Sequence, residues 1–208
     1  MTKRGKREFV QVLRLLEVFR PDLNRPGGTS GRGLGLPQGA GALMRLRERR
    51  QEPLGPDHAA MGPIVAQFEG TIDHYGGDAI MVFFNDPLPT PDPARRAIDM
   101  AMAMRAAAQD LLRTWRRHGH DIGFGVGISQ GYATLGQIGF AERMDYTAIG
   151  TVTNLAARLC GEAKDGQILV SRRVAIAVED SATVEEIGDL SLKGLSQAVA
   201  VYNVTIEP

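Results

Sequence analysis

Gly70 to Phe84, in one-letter code GTIDHYGGDAIMVFF, decide the fold. Two strand-like runs, TIDHY and AIMVFF, are joined through Gly76-Gly77, and a short glycine link between such runs signals a β-hairpin. Asp78 follows the glycines. A carboxylate at a hairpin tip is exposed, firmly held and free to ligate a hard cation. Asp is also a common turn residue, and for this segment alone that is the commoner meaning.

Outward from the hairpin, strands and helices mix without strict alternation. Asp92-Pro93 pairs a good N-cap with a proline at the first helical position. Ala94, Ala97, Ile98, Ala101, Met104, Ala108, Leu111, Leu112 and Trp115 then form one apolar stripe of a long helix that Gly119 ends. The run IGFGVGISQGYATLGQIG reads as two strands with a turn near Gln130-Gly131. TNLAARLC reads as a short helix ended by Gly161. GQILVS is a strand, RRVAIAV a helix, and TVEEIG, LSLKG and VAVYNV are closing strands. This pattern predicts an α+β fold, a mostly antiparallel sheet with helices packed on it.

Upstream of the hairpin, HAAMGPIVAQFEG looks like the end of a helix, which Pro63 is expected to disturb unless it sits in the first turn. Phe9, Val10, Leu13, Leu16 and Phe19 stand at helical spacing and predict a short amphipathic helix over residues 8–19, ended by Pro21. Residues 26–41 hold seven glycines, and no packed structure is expected there. They make no phosphate-binding loop, because no Gly-Lys-Ser/Thr closes them. ALMRLRERRQE suits a short basic helix. The expected organisation is a basic, glycine-rich, poorly ordered segment over 1–57 and one domain over 58–208.

Charge follows the same division. The chain of 208 residues has formal net charge +0, yet residues 1–55 carry 12 of the 24 Lys+Arg and only 5 of the 24 Asp+Glu. Such asymmetry marks a tail on a domain. The single cysteine, Cys160, excludes an intrachain disulfide and fits a reducing cytoplasm, where it is expected as a small packed residue. No run of about 18 apolar residues exists, so no integral membrane segment is expected. No nucleic-acid partner is expected either. His118 and His120 lie past a helix end without the carboxylate or cysteine pattern of a metal site.

Two further segments carry chemistry. One is Met144-Asp145-Tyr146-Thr147-Ala148-Ile149-Gly150, and the other is Asn154-Leu155-Ala156-Ala157-Arg158. Asn154 and Arg158, four apart on a helix, share a face. An amide can orient a ribose oxygen, and a guanidinium fork can hold phosphoryl oxygens. Taken alone, the pair equally describes a solvated helix face.

Together the segments resemble the class III nucleotidyl cyclase catalytic domain over about His58 to Val204. IDHYGGDAIMVFF resembles its metal-binding hairpin, ERMDYTAIG its purine-facing strand and TNLAARL its transition-state helix. The closing LSLKGLSQAVAVYNV is similar as well. The resemblance implies a ferredoxin-like core and a homodimer with sites shared across the interface. It also implies conversion of ATP, with GTP less favoured, to 3′,5′-cyclic AMP and pyrophosphate in intracellular signalling. The family uses two divalent cations, Mg²⁺ or Mn²⁺, held by two aspartates. By position Asp78 matches the second metal aspartate. Thr147 matches the purine reader, as in adenine-selective bacterial members. Asn154 matches the ribose-positioning asparagine, and Arg158 the arginine that stabilises the α-phosphate in the transition state.

The chain departs from the family in three places. No Phe-x-Asp motif precedes Asp78, and the only aspartate before residue 57 is Asp22, so the first strand is taken as missing together with the first metal ligand. His74 stands four residues before Asp78, where the family often has a lysine that contacts adenine. A histidine there can also be an ordinary strand residue. The helix opens Gly150-Thr151-Val152-Thr153-Asn154 in place of the family's Gly-Asp-Thr-Val-Asn, and Thr151 is expected to cap it. Two readings therefore compete: an adenylate cyclase with impaired activity, and a non-catalytic cyclase-homology module that binds nucleotide or dimerises for regulation.

Overall fold

Large residues and glycines alternate along Ile122-Gly123-Phe124-Gly125-Val126-Gly127-Ile128. The computed structural model, which describes residues 7–18, 55–76, 79–118, 122–140, 143–192 and 197–205, makes this row the middle of a sheet. The elements are β1 (Arg7–Val18), α1 (Gly55–Gln67), β2 (Thr71–Gly76), β3 (Ala79–Phe84), α2 (Pro93–Arg117), β4 (Ile122–Phe140), β5 (Arg143–Ile149), α3 (Thr151–Glu162), β6 (Ile168–Ser171), α4 (Arg172–Ala177), β7 (Val184–Leu190) and β8 (Val199–Val204). Seven strands lie in the order β2-β3-β1-β4-β6-β8-β7, and β5 pairs with the far half of β4. Every pairing is antiparallel except β4 with β6. The expected α+β class, with a mostly antiparallel sheet, is the observed one.

The alternation along β4 explains how helices cover both faces. Phe124, Val126 and Ile128 are buried with Ile80, Val82 and Phe84 of β3 against α2. The α2 stripe reads as expected, with Ala97, Ile98, Ala101, Met104 and Ala108 buried. Burying each large side chain of this layer contributes about 1.5–3 kcal/mol. The glycines of β4 face the other way and admit α3.

Several expectations are corrected. Residues 7–18 are a strand and not a helix. β1 lies between β3 and β4, with Leu15 paired to Ala79 and Leu13 to Gly127. A central strand of a sheet covered on both faces needs no period-two alternation, so its apolar residues can fall at helical spacing by chance. Nor is there a turn at Gln130-Gly131: β4 runs unbroken for 19 residues. Gly131 pairs with Phe9 and Thr134 with Ile149, so one partner takes over where the other ends.

Pro63 lies past the first turn of α1, on an exposed position, and the helix continues through it to Gln67. Asp92 occupies the N-cap of α2 in a left-handed conformation, φ 47, without a side-chain capping bond. Gly150, not Thr151, caps α3, and Gly161 lies within that helix, which ends at Glu162. Leu190 closes β7, and Ser191-Leu192 continue outside any strand. The glycine-rich stretch, ALMRLRERRQE, His120 and Asp78 lie outside the described residues.

Candidate functional site

Helix α3 owes its position to missing side chains. A Cβ on Gly125 would stand 3.0 Å from the Ala163 Cβ, and one on Gly131 would stand 3.3 Å from the Val152 Cβ. At Gly127 the approach is closer still, because the backbones themselves touch. The buried Ser129 hydroxyl donates to the Val152 carbonyl at 2.6 Å and pins the first turn of α3. Val152, Ala156, Leu159 and Cys160 face the sheet. Cys160 is buried as expected, its Sγ 3.6 Å from the Gly125 carbonyl oxygen.

With that face fixed, the helical period puts Asn154 and Arg158 on the opposite side. Both are exposed, one turn apart. Two polar side chains thus stand side by side on a helix held close against its sheet.

The hairpin reads as expected, β2 pairing with β3. His74 pairs with Met81, whose side chain packs against Ala156 and Cys160, so His74 lies on the α3 side of the sheet. Its side chain is 54% exposed.

Thr147 is half-buried on β5, paired with Gly136. Its neighbour Tyr146 ties β5 to the hairpin: the Tyr146 hydroxyl donates to the Asp86 carboxylate, and the Tyr146 ring lies 6.3 Å from that of Phe83. Asp86 is buried, and its carbonyl accepts from the Thr71 hydroxyl at 2.7 Å. β2 and β5 are thereby drawn together, which brings the elements bearing His74 and Thr147 to one region beside α3.

The sequence reading passed over Asp73, Tyr146, Asp86 and Gly127. The alternation along β4 was a visible signal for Gly127. Asp73 gave none, because its place depends on a bulge that no local pattern announces.

Among the described residues, no group of three or more His, Cys, Asp or Glu side chains could hold a metal ion. The His118 Nδ1 lies 2.8 Å from the Thr114 carbonyl oxygen, an ordinary helix-end contact. No described helix is long and apolar enough to cross a membrane.

A family model described as the adenylate and guanylate cyclase catalytic domain matches residues 70–205. The chain is 31% identical over 144 residues to adenylate cyclase 1 of Rhizobium meliloti, covering 68% of this chain and 22% of that protein. It is 32% identical over 152 residues to an adenylate cyclase of Anabaena cylindrica, covering 70% and 30%. It thus spans less than a third of the length of these curated relatives. Among solved structures, the adenylyl cyclase CyaB from P. aeruginosa superposes with a TM-score of 0.76 at 29% identity, covering 98% of this chain and 96% of that one. The guanylyl cyclase Cya2 superposes with a TM-score of 0.75 at 23% identity, covering 98% and 94%, a likeness of fold.

Proposed function

This chain belongs to the adenylate and guanylate cyclase catalytic-domain family, and we propose that it binds a purine nucleoside triphosphate, ATP ahead of GTP, on the face built by β2, β5 and α3. The observation that carries this is Asn154 and Arg158, one turn apart on the exposed side of a helix clamped to the sheet at Gly127. Arg158 holds the α-phosphate through charge-assisted hydrogen bonds, and Asn154 orients the ribose. His74 and Thr147 meet the purine. In the family reaction the ribose 3′-oxygen bonds to the α-phosphorus, the bond to the β-phosphate bridge breaks, and pyrophosphate and the hydroxyl proton leave.

We propose further that β1 takes the place of the strand that could not be recognised by motif, so that what departs from the family is the aspartate and not the strand. Its support is the position of β1 between β3 and β4. In the sequence Asp78 is the one aspartate that matches a metal ligand of the family, since no Phe-x-Asp motif precedes it. Cyclase activity is accordingly weak. The absent aspartate motif also favours the second reading, a non-catalytic cyclase-homology module that binds nucleotide or dimerises for regulation.

Calorimetric titration of the purified chain with ATP and with GTP tests the proposal. Saturable binding, tighter for ATP and weakened by Arg158→Ala, is expected. Absence of binding for both nucleotides rejects it.

A further inference from the structure

β2 contains an irregularity that places two chemically matched side chains together. Ile72 pairs with Val82 and His74 with Met81, so Asp73 is an extra residue with no partner of its own on β3. Such a bulge re-aims side chains that regular alternation would send to opposite faces. The Asp73 side chain is 1% exposed. Its Oδ2 lies 3.2 Å from the His74 Nδ1, while its buried Oδ1 has no hydrogen-bond partner among the described residues. Burying a carboxylate with half its acceptors idle is costly. A residue that served only the strand would not need this charge. Among the described residues, the one polar contact of its side chain is with His74.

We propose that Asp73 is a positioning residue that sets which nitrogen of His74 carries the proton, and so makes this site prefer adenine over guanine. The inference rests on the proposed nucleotide site and deepens it. A carboxylate only accepts hydrogen bonds, so the Nδ1 facing it carries the hydrogen. In the neutral ring Nε2 then holds the lone pair and is an acceptor. Adenine offers an amino group at C6, which donates, whereas guanine offers a carbonyl oxygen, which accepts. An acceptor at Nε2 therefore matches the adenine amino group and opposes the guanine oxygen. A lysine in this position could only donate. The bulge gives this chain a different donor–acceptor pattern from the same strand position.

Two measurements on the whole chain separate this inference from the reading beneath it. The first is ¹⁵N NMR of His74 in the nucleotide-free chain in mildly alkaline solution. A protonated Nδ1 and bare Nε2 are expected in the native chain and in Asp73→Asn, whose amide oxygen also accepts. A mixture is expected in Asp73→Ala. The second is titration of the same three proteins with ATP and GTP. The native chain and Asp73→Asn should favour ATP about tenfold, and Asp73→Ala should lose most of that ratio while still binding ATP. Asp73→Ala removes a buried, half-satisfied group and is expected to fold, and Asp73→Asn provides the isosteric comparison. A native His74 bearing its hydrogen on Nε2 overturns the inference. So does a nucleotide preference unchanged in Asp73→Ala, even when ATP binds as proposed. If the native chain binds neither nucleotide, the proposed site falls and takes this inference with it, whatever the NMR shows.

Discussion

Gly127 of β4 and Ala156 of α3 meet backbone to backbone: a Cβ on Gly127 would stand 2.3 Å from the Ala156 carbonyl oxygen. The same Cβ would lie 2.3 Å from the Cys160 nitrogen. Neither atom is the end of a flexible side chain, so the helix itself must move. Gly127→Ala should cost about 1–3 kcal/mol in urea unfolding, the range for overpacked cores, and should weaken ATP binding by displacing Asn154 and Arg158. Gly161→Ala is the control. Nothing lies within 4 Å of its Cβ, and the helix should gain about 0.5–1 kcal/mol. Equal stabilities for the two variants would refute the close-packing account.

Tyr146→Phe removes the hydroxyl that donates to buried Asp86 while keeping the ring beside Phe83. Hydrogen bonds to charged groups contribute about 1.5–3 kcal/mol. A loss of that size is expected in thermal unfolding, together with faster amide exchange in β5 and β2. No change in either would show that the tie between hairpin and β5 lies elsewhere.

Arg158→Ala should weaken ATP binding more than His74→Ala does. A guanidinium–phosphate contact is charge-assisted and roughly twice as strong as a neutral imidazole–purine bond. Side-by-side calorimetry decides the order, and a larger loss from the histidine change would reverse the assignment of the phosphate and purine ends.

Cyclic AMP production with Mn²⁺-ATP should be slight in the chain as it stands. One lost electrostatic contact in a transition state typically costs on the order of 10²–10³-fold in rate. Replacing residues 1–57 by a family-like first strand with its Phe-x-Asp motif should raise turnover by about that factor. If the unaltered chain already matches the graft, the missing aspartate is dispensable for turnover.

A homodimer is expected in sedimentation at high concentration, because the resemblance to the family implies that Thr147 and Asp78 serve one site from opposite subunits. A monomer at all concentrations would leave each site with only one of its halves.

The hairpin, the long helix and the α3 platform were legible because each depends on neighbours close in sequence. Gly76 closes β2, Pro93 opens α2, and Asn154 and Arg158 are a turn apart on any helix. β1 was not legible. Its conformation is imposed by partners far along the chain, and long-range pairing overrides the helical spacing of Phe9, Leu13 and Leu16. β4 misled in the opposite sense: Gly131 resembles a turn residue until β1 is laid beside it. Asp73 escaped because a bulge in β2 breaks the alternation from which its face would be inferred.

The position of β1 also bears on how the chain folds. The strand precedes both of its neighbours by a long stretch of chain: Val10 pairs with Phe84, and Arg7 with Ala133. Each pairing closes a long loop before any contact repays the lost entropy, which makes folding slow. Until β1 docks, β3 and β4 both present open edges at the centre of the future sheet, and open edges recruit strands from other chains. Expression yield and aggregation should therefore respond to substitutions in β1 more steeply than equilibrium stability alone would suggest.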